Sequence, residues 1–307
     1  MSFNIETINK RAKEDPAGFA RECEETYSQK VSEAATAIER GTNRVVFLSG
    51  PSGSGKTTTA NRICTELDRR GIRAFTISMD NYFVTFDPKM APRTPDGELD
   101  RESPDCLDLA LLGEHTKMIE RGEEILKPYF DFKTQSRDMS KAVPIKVQSG
   151  EIVIFEGIHA LNDILTESDP HAVKIYISTQ SGIEKGGEVL VEKAWLRLMR
   201  RVVRDEAFRG TDVSKTLKMW PSVRAGQKAY IAPFKHKAGI VIDSSLAYEV
   251  PVIKHIALKA FERVSDDPTG ILAKLVPALH EFEEIEPEFV PKNSILREFI
   301  GGGVYKY

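Results

Sequence analysis

The chain has 307 residues, of which 41% are hydrophobic and 29% charged, and its formal net charge is −3. These ordinary globular values argue against bulk disorder, and the slightly negative charge argues against a nucleic-acid binder. The three cysteines are well separated, which predicts reduced thiols without disulfides or a zinc site. The sequence shows no apolar leader and no long apolar run, so we expect a cytoplasmic protein without a membrane span.

The predicted elements alternate between strands and helices along the chain. Residues 1–42 predict two helices separated near Pro16. The following elements are a strand at 44–49, a helix at 58–71, a strand at 72–78, a long loop at 81–103, a helix at 105–123, strands at 151–161 and 172–178, a flexible loop at 179–188, an arginine-rich helix at 191–210, a strand at 239–245, and helices at 247–264 and 269–283. Because the strands are continuous apolar runs, we predict an α/β fold with a mostly parallel sheet covered by helices on both faces.

The sequence GPSGSGKT at 50–57 matches the full G-x-x-x-x-G-K-[ST] pattern, with a predicted strand before it and a helix after it. This context predicts a P-loop, in which backbone N–H groups converge on phosphates and the helix N-terminus adds its dipole. We expect Lys56 to reach the β- and γ-phosphates of ATP and Thr57 to bind Mg²⁺. The predicted nucleotide-binding residues are Gly50, Ser52, Gly53, Ser54, Gly55, Lys56, Thr57 and Thr58.

Two acidic residues follow predicted strands at the sheet edge where open α/β sheets bind ligands. Glu156, in VIFEG, is the predicted partner of Thr57 for Mg²⁺ or its water shell, and the alternative is a solvent-facing glutamate. Asp80, in SMDNYF, follows the strand after the P-loop helix. A kinase needs such a carboxylate to orient and deprotonate the acceptor hydroxyl, whereas the alternative for Asp80 is a turn former.

Arginines recur at three- and four-residue spacing in the predicted helix at 191–210, so that most of them share one face. They are Arg197, Arg200, Arg201 and Arg204. Such a cluster can clamp a transferring phosphoryl group, and we predict Arg200 and Arg204 as catalytic. The glycine-rich loop before the helix would let it close as a lid. The alternative is a basic face in contact with solvent or a partner.

Several segments together resemble the uridine kinase family, in the uridine kinase/phosphoribulokinase branch of P-loop kinases. They are GPSGSGKTT, SMDNYF, PYFDFKTQSR, IFEGIHALN, RLMRRVVRDEAFRG and SVRAGQKAYIAPFKHKAGIVIDSSLAYE. The pattern is most similar to a bacterial-type subgroup whose tail also resembles SILREFIGG, although a short helical segment replaces the ubiquitin-like domain that such members often carry. The resemblance implies a P-loop NTPase fold and phosphorylation of a ribonucleoside 5′-hydroxyl with ATP and Mg²⁺.

The resemblance also implies roles for individual residues. Asp80 matches the catalytic aspartate, Asp100 the acidic residue that holds the ribose hydroxyls, and Arg137 a position near the nucleoside. The implied acceptor-binding set is Asp80, Tyr82, Asp100, Phe130, Phe132, Gln135, Arg137 and Arg197. The expected partner is a small-molecule acceptor, with no nucleic acid and no membrane, and the habit of the family suggests a homo-oligomer.

The sequence departs from the pyrimidine-specific members at the positions that read the base. Their tyrosine and histidine correspond here to Phe130 and Gln135, and Trp195 replaces a lid aspartate. Phe130 can stack but cannot donate a hydrogen bond, whereas Gln135 can still donate and accept. Uridine or cytidine is the expected acceptor. A different nucleoside, another small alcohol such as a sugar phosphate or a pantothenate-like compound, and a non-catalytic nucleotide-binding module are the alternatives.

The predicted organisation is a P-loop kinase core with an extension at each end. A helical extension covers residues 1–42, the core covers 43–255, and a helical C-terminal extension covers 256–307. Within the core, residues 81–150 are the predicted acceptor-binding insertion and residues 179–212 the predicted lid. His159 in GIHALN fits either a packed turn residue or a ligand.

Overall fold

The computed structural model describes residues 2–132 and 134–305. The strands are β1 (Ser2–Asn4), β2 (Val45–Ser49), β3 (Ala74–Ser78), β4 (Glu124–Lys127), β5 (Phe130–Asp131), β6 (Ser136–Arg137), β7 (Val143–Lys146), β8 (Ile152–Glu156), β9 (Val173–Ser178), β10 (Gly182–Lys185), β11 (Glu188–Val191) and β12 (Ile240–Asp243). The helices are α1 (Ile5–Glu14), α2 (Pro16–Arg40), α3 (Lys56–Arg69), α4 (Leu109–Glu120), α5 (Asp163–Ser168), α6 (Lys193–Arg209), α7 (Val213–Gly226), α8 (Glu249–Phe261), α9 (Leu272–His280) and α10 (Arg297–Ile300).

The central sheet has the strand order β12-β9-β2-β8-β3, and each neighbouring pair in it is parallel. The carboxyl ends of the strands therefore lie along one edge of the sheet. The P-loop leaves that edge from β2. Glu156 ends β8, and Ser78, which ends β3, lies beside it in register. The parallel α/β architecture predicted from the continuous apolar strands is thus confirmed.

Alternate residues of each strand point to opposite faces of the sheet and fill two separate cores. Val46 and Leu48 belong to the larger core, which also contains residues of α2, α3, α6 and α8. Val45 and Phe47 belong to the second core, which lies beneath α4 and the segment after β3. The five-residue run VVFLS is buried throughout because both of its faces are covered by other elements.

The prediction of a flexible loop at 179–188 is wrong. This segment begins a β-hairpin, in which β10 pairs with β11, and β1 at the start of the chain adds a parallel third strand. Gly186 and Gly187 form the turn with φ values of +59° and +87°, and two residues with positive φ suit a tight hairpin connection. The hairpin precedes α6, so paired strands rather than a loose loop connect that helix to the sheet.

Both ends of the chain pack on the core. Helices α1 and α2 are separated at Asp15, whose side chain accepts a hydrogen bond from the Gly18 N–H, and α2 begins at Pro16 as predicted. The last segment returns to the P-loop and α6. Residues 306 and 307, at the end of the predicted tail REFIGGGVYKY, lie outside the described residues. In the described part of the chain, no helix is both long and apolar enough to cross a membrane.

Candidate active site

The P-loop connects β2 to α3 in a conformation that requires glycine. Gly55 has φ +84° and immediately precedes α3. A Cβ on Gly50 would lie 2.0 Å from the Ile177 carbonyl oxygen, so a side chain cannot fit there. The buried Ser54 hydroxyl has no hydrogen-bond partner within residues 2–132 and 134–305. This arrangement suits an anion, because it combines the N-terminus of a helix with a hydroxyl that is available to donate.

Thr57 and Glu156 meet at the edge of the sheet. The Thr57 hydroxyl donates to Glu156 Oε1 at 3.2 Å. Burial raises the pKa of Glu156 to about 7, with the nearby charge of Lys56 opposing this and that of Asp80 adding to it. A hydroxyl and a carboxylate at this distance are oxygen donors of the kind that Mg²⁺ uses together with waters and substrate phosphates. The two residues therefore fit the metal that the P-loop implies.

Lys56 lies among carboxylates of different segments. Burial lowers the pKa of its ammonium group, while the charges of Glu156 and Asp80 act in the opposite direction. Asp80 stands in a short 3₁₀ turn whose first N–H groups are capped by Ser78. Among the described residues, the carboxylate of Asp80 accepts no hydrogen bond of its own. Asp80 is therefore within electrostatic reach of Lys56 and is not used as a turn cap.

Four arginines of α6 are buried rather than solvated, namely Arg197, Arg200, Arg201 and Arg204, whereas Arg209 at the end of the helix is exposed. Arg197 donates to the Ser52 carbonyl at 2.9 Å and to Gln227 Oε1 at 2.7 Å, and Arg201 donates to the Ser52 hydroxyl at 2.9 Å. The side chain of Arg204 is paired with Asp205. The alternative of a basic solvated face does not describe this helix, because Arg197, Arg200 and Arg201 donate hydrogen bonds to the P-loop.

Arg200 occupies a different environment from the one that we predicted for a phosphate clamp. It is fully buried and forms an ion pair with the equally buried Glu249, with an N–O distance of 2.5 Å. Its guanidinium also donates to the Ser244 carbonyl at 2.7 Å and to the Gly53 carbonyl at 3.3 Å. Because these partners occupy its donors, the geometry favours Arg200 as a support of the P-loop and α8 over direct contact with a phosphate.

Arg137 organises the predicted acceptor-binding insertion. It forms an ion pair with Asp108 at 2.9 Å and donates to the backbone carbonyls of Tyr82 and Phe83. It thereby joins the segment after β3, the start of α4 and strand β6. All of these partners belong to the protein, so Arg137 shapes the insertion and is not a free cation within it.

Three phenylalanine rings form a cluster on the same insertion. Phe83 and Phe130 have ring centroids 5.4 Å apart, and Phe132 lies 5.9 Å and 5.1 Å from these two rings. Phe130 is buried, whereas Phe132 is 59% exposed. Gln135 occupies the turn between β5 and β6 with φ +52°. The cluster is an apolar surface that could accept a flat ring.

Two of the residues predicted to bind the acceptor are used elsewhere in the fold. Tyr82 is fully buried, and its hydroxyl lies 2.9 Å from His115 Nδ1, so it packs in the second core. Asp100 accepts a hydrogen bond from the Tyr230 hydroxyl at 2.7 Å. Asp100 thus links the acceptor-binding insertion to the segment after α7.

Glu102, which the sequence analysis did not single out, lies within electrostatic reach of Arg201, Lys56 and Arg197. Burial raises its pKa, with the charges of Arg201 and Lys56 opposing the shift. The backbone carbonyl of Glu102 lies 3.0 Å from His159 Nε2, and His159 is buried, which agrees with a packed turn residue. The only signal in the sequence was its position in LDRESPD, where neighbouring acidic residues gave no reason to prefer it.

The comparisons with known proteins agree with this geometry. The model of the phosphoribulokinase / uridine kinase family matches residues 45–250. A uridine kinase of Clostridium novyi is 28% identical over 220 residues, covering 68% of this chain and 93% of the relative. Uridine-cytidine kinase-like 1 of mouse is 28% identical over 222 residues, covering 71% of this chain and 37% of the relative.

A solved structure described as a possible uridine kinase from Bacillus stearothermophilus covers 70% of this chain and 98% of its own, at 17% identity and a TM-score of 0.46. The family model spans well over half of the chain and includes the P-loop, Asp80, Glu156 and the arginine helix. The chain therefore belongs to the phosphoribulokinase / uridine kinase family, and it is an ATP-dependent kinase of a small molecule.

Proposed function

We propose that this enzyme transfers the γ-phosphoryl group of ATP to the 5′-hydroxyl of a nucleoside, with Mg²⁺ as cofactor. The observation that supports this proposal is the position of Asp80, whose charge acts on both Lys56 and Glu156 while its carboxylate accepts no hydrogen bond from the described residues. A carboxylate beside the P-loop lysine that no hydrogen-bond donor of the protein engages is available to accept the proton of an attacking hydroxyl.

Each group of the site has a distinct role in this proposal. Lys56 and the P-loop amides hold the β- and γ-phosphates, while Thr57 and Glu156 hold Mg²⁺ or its water shell. Bound Mg²⁺ would neutralise charge on the transferring phosphates. Asp80 orients the acceptor hydroxyl and takes its proton. Arg201, which donates to the Ser52 hydroxyl, is well placed to stabilise charge in the transition state. Arg204 would do the same after it leaves its present partner Asp205.

Two arginines of the acceptor-binding insertion are engaged by protein partners, and this favours a neutral acceptor. Arg137 is occupied by Asp108 and backbone carbonyls, and Arg93 donates to the carbonyls of Gly97 and Pro88. Glu102 adds a carboxylate near the phosphates. A phosphorylated or carboxylated acceptor would need cations that are not already paired. Lys133, another basic residue of this insertion, lies outside the described residues.

The phenylalanine cluster favours an acceptor that carries a flat ring, which a nucleoside supplies. Uridine and cytidine remain the first candidates because of the similarity to uridine kinases. Phe130 has no hydroxyl with which to bind a base. This feature favours a second candidate function, in which the enzyme phosphorylates another neutral alcohol. A non-catalytic nucleotide-binding module is the remaining alternative.

Acceptor-dependent ADP release tests the proposal. The enzyme is incubated with Mg-ATP and a panel of nucleosides, pantothenate and sugar phosphates, with Asp80→Asn in parallel. Turnover with one nucleoside, lost in the variant while ATP still binds, is the expected result. If only a different alcohol is turned over, that alcohol and not a nucleoside is the substrate. If ATP binds but no acceptor is turned over, the result favours the non-catalytic nucleotide-binding module.

Three further predictions are part of this proposal. In this proposal the protein consists of an N-terminal extension at 1–42, a core at 43–255 and a C-terminal extension at 256–307. The segment 81–150 binds the acceptor, and the segment 179–212 covers the site. We also propose a cytoplasmic homo-oligomer, by analogy with the family. Light scattering of the purified enzyme measures the oligomeric state directly.

A further inference from the structure

The last part of the chain, residues 287–305, forms a folded segment that lies against the P-loop, and we refer to it as the C-terminal strap. Leu296 is fully buried in the larger core, and the side chain of Phe299 is fully buried as well. Arg297 closes the strap on itself by donating to the carbonyls of Pro287 at 2.8 Å and Val290 at 2.6 Å. The strap is therefore held in one conformation, with a defined side facing the nucleotide site.

The strap approaches the P-loop at its final glycine. A Cβ on Gly55 would lie 3.5 Å from the Cβ of Ile295, so this buried strap residue covers the loop where α3 begins. The Phe299 ring lies 5.3 Å from the guanidinium carbon of Arg200, which itself donates to the Gly53 carbonyl of the loop. Two apolar side chains thus hold the strap beside the first turn of α3.

Glu298 of the strap binds that first turn directly. Its Oε2 accepts a hydrogen bond from the Thr58 hydroxyl at 2.7 Å and another from the Thr58 backbone N–H at 3.4 Å. The side chain is largely buried, with a residue exposure of 8%. It is a negatively charged group at the positive end of a helix, which is a favourable position for a carboxylate.

Thr58 is also a residue that the nucleotide requires. In a P-loop, the N–H groups of the loop and of the first helical turn cradle the α- and β-phosphates. The Glu298 carboxylate therefore accepts from an N–H that a phosphate oxygen of a bound nucleotide would use. Its charge is also close enough to act on Lys56. A phosphate and this carboxylate would repel each other if both remained at Thr58.

We propose that Glu298 is a built-in competitor of the nucleotide: it occupies part of the phosphate site in the free enzyme and is displaced from Thr58 when ATP binds. This inference rests on the proposed function only in that the P-loop binds a nucleotide. Displacement of Glu298 would also release the contact between the strap and α3, so that nucleotide occupancy and the position of the strap are coupled.

Glu298→Gln tests this competition, because glutamine keeps the shape and an acceptor oxygen but removes the charge. We expect the variant to bind ATP and inorganic tripolyphosphate about tenfold more tightly than the wild type in titration calorimetry. Tripolyphosphate is included because it reports on the phosphate site without the adenosine. The matched control is Glu288→Gln on the exposed part of the strap, which should bind both ligands as the wild type does.

Glu298→Asp is a second variant, whose shorter side chain keeps the charge but withdraws it from Thr58. We expect it to bind ATP more tightly than the wild type as well. Equal or weaker binding by a Glu298→Gln protein that melts like the wild type would overturn the proposal and make Glu298 a support of the P-loop. If the wild type binds no nucleotide at all, the proposed function fails instead, so the two failures are distinct.

Hydrogen exchange measures the coupling. Saturating ADP should increase amide exchange in the strap, whose end is joined to α3 by the contact between Tyr305 and Thr65. Exchange should decrease in the P-loop in the same experiment. Slower exchange in the strap on ADP binding would contradict displacement, since it would mean that the nucleotide reinforces the strap.

Discussion

Asp80 differs from the other carboxylates of the site in what surrounds it. Glu156 is engaged by Thr57, and Glu298 by Thr58, whereas among the described residues the Asp80 carboxylate accepts no hydrogen bond. It lies near Lys56, whose pKa its charge tends to raise. A carboxylate that is close to Lys56 and accepts no hydrogen bond from the protein is the group that we propose to act on an acceptor hydroxyl.

Replacing Asp80 by Asn should therefore lower kcat by about 10³-fold, because asparagine cannot take a proton. The dissociation constant for ATP should change little, since Asp80 does not belong to the P-loop. Steady-state kinetics and calorimetry measure the two quantities. Asp96→Asn, an exposed position of the same insertion, is the matched control. A variant that retains more than a tenth of the wild-type kcat would remove Asp80 from the proposed mechanism.

His159 gives the enzyme a predictable response to acid. Burial lowers the pKa of His159 to about 4, which is below the value of about 6.5 in an unfolded chain. The unfolded chain therefore binds a proton first, and stability is lost as the pH falls from about 6.5 towards 4.

Between pH 7.5 and pH 5, this linkage should remove about 2 kcal/mol of unfolding free energy from the wild type but not from His159→Gln. Urea denaturation at the two pH values measures the difference. The exposed His171→Gln is the control and should follow the wild type. An equal loss in the wild type and in His159→Gln would show that His159 is protonated normally in the folded protein.

At the scale of elements, local sequence patterns predicted the strands of the central sheet but not the separate three-stranded sheet formed by β1, β10 and β11. Strands β2, β3, β8, β9 and β12 were found because each is a buried apolar run, and α3 because the P-loop pattern precedes it. The hairpin β10–β11 does have a local signal, the Gly186-Gly187 pair, which lies between the charged residues Lys185 and Glu188. Its pairing with β1 joins residues about 180 positions apart, and no local pattern encodes such a contact.

The same limit applies to the candidate site. The P-loop, Asp80 and Glu156 could be identified because spacing and strand position define them. The spacing of the arginines predicted a shared face of α6, but Arg200 is paired with Glu249, which is 49 residues away and belongs to α8. Likewise, nothing near Glu298 in the sequence indicates that it reaches Thr58. Partners from distant elements become visible only when the fold is known.

The ion pair between α6 and α8 should contribute to stability more than to catalysis. Glu249→Gln leaves the buried Arg200 without its counter-charge, so we expect a loss of about 3–5 kcal/mol in unfolding free energy. Replacing both residues by apolar ones, Arg200→Met with Glu249→Leu, should recover much of that loss. Chemical denaturation measures these unfolding free energies. The control is Glu262→Gln, at the exposed position that follows α8 directly.

The double variant also tests the earlier expectation that Arg200 is catalytic. If Arg200 acts only through the P-loop, the folded double variant should retain kcat within about tenfold of the wild type. A loss beyond a hundredfold in a stable double variant would instead support direct action on the phosphoryl group.

At the scale of the whole molecule, the two ends of the chain meet through a buried polar network. Glu24 of α2 forms an ion pair with Arg62 of α3 at 2.7 Å and accepts a hydrogen bond from the Tyr248 hydroxyl at 2.8 Å. The same hydroxyl lies 3.1 Å from Ser294 Oγ in the C-terminal strap. The N-terminal helices, the P-loop helix and the strap therefore share one set of hydrogen bonds.

This network predicts that the N-terminal helices stabilise the nucleotide site from behind. Glu24→Gln should lower the unfolding free energy by about 3 kcal/mol, because Arg62 would remain buried without a counter-charge. Glu25→Gln, the exposed neighbour on α2, should stay within about 0.5 kcal/mol of the wild type. Both values come from urea denaturation at pH 7.5.

The Glu24→Gln variant also shows whether α2 and the strap unfold together with the core or separately from it. If the strap and α2 unfold together with the core, Glu24→Gln should shift a single transition that fluorescence and circular dichroism report at the same urea concentration. Two transitions would show that α2 and the strap open independently of the P-loop core. Because Glu298 is carried by that same strap, independent opening would also raise the affinity for ATP in Glu24→Gln, which calorimetry on the folded variant would detect.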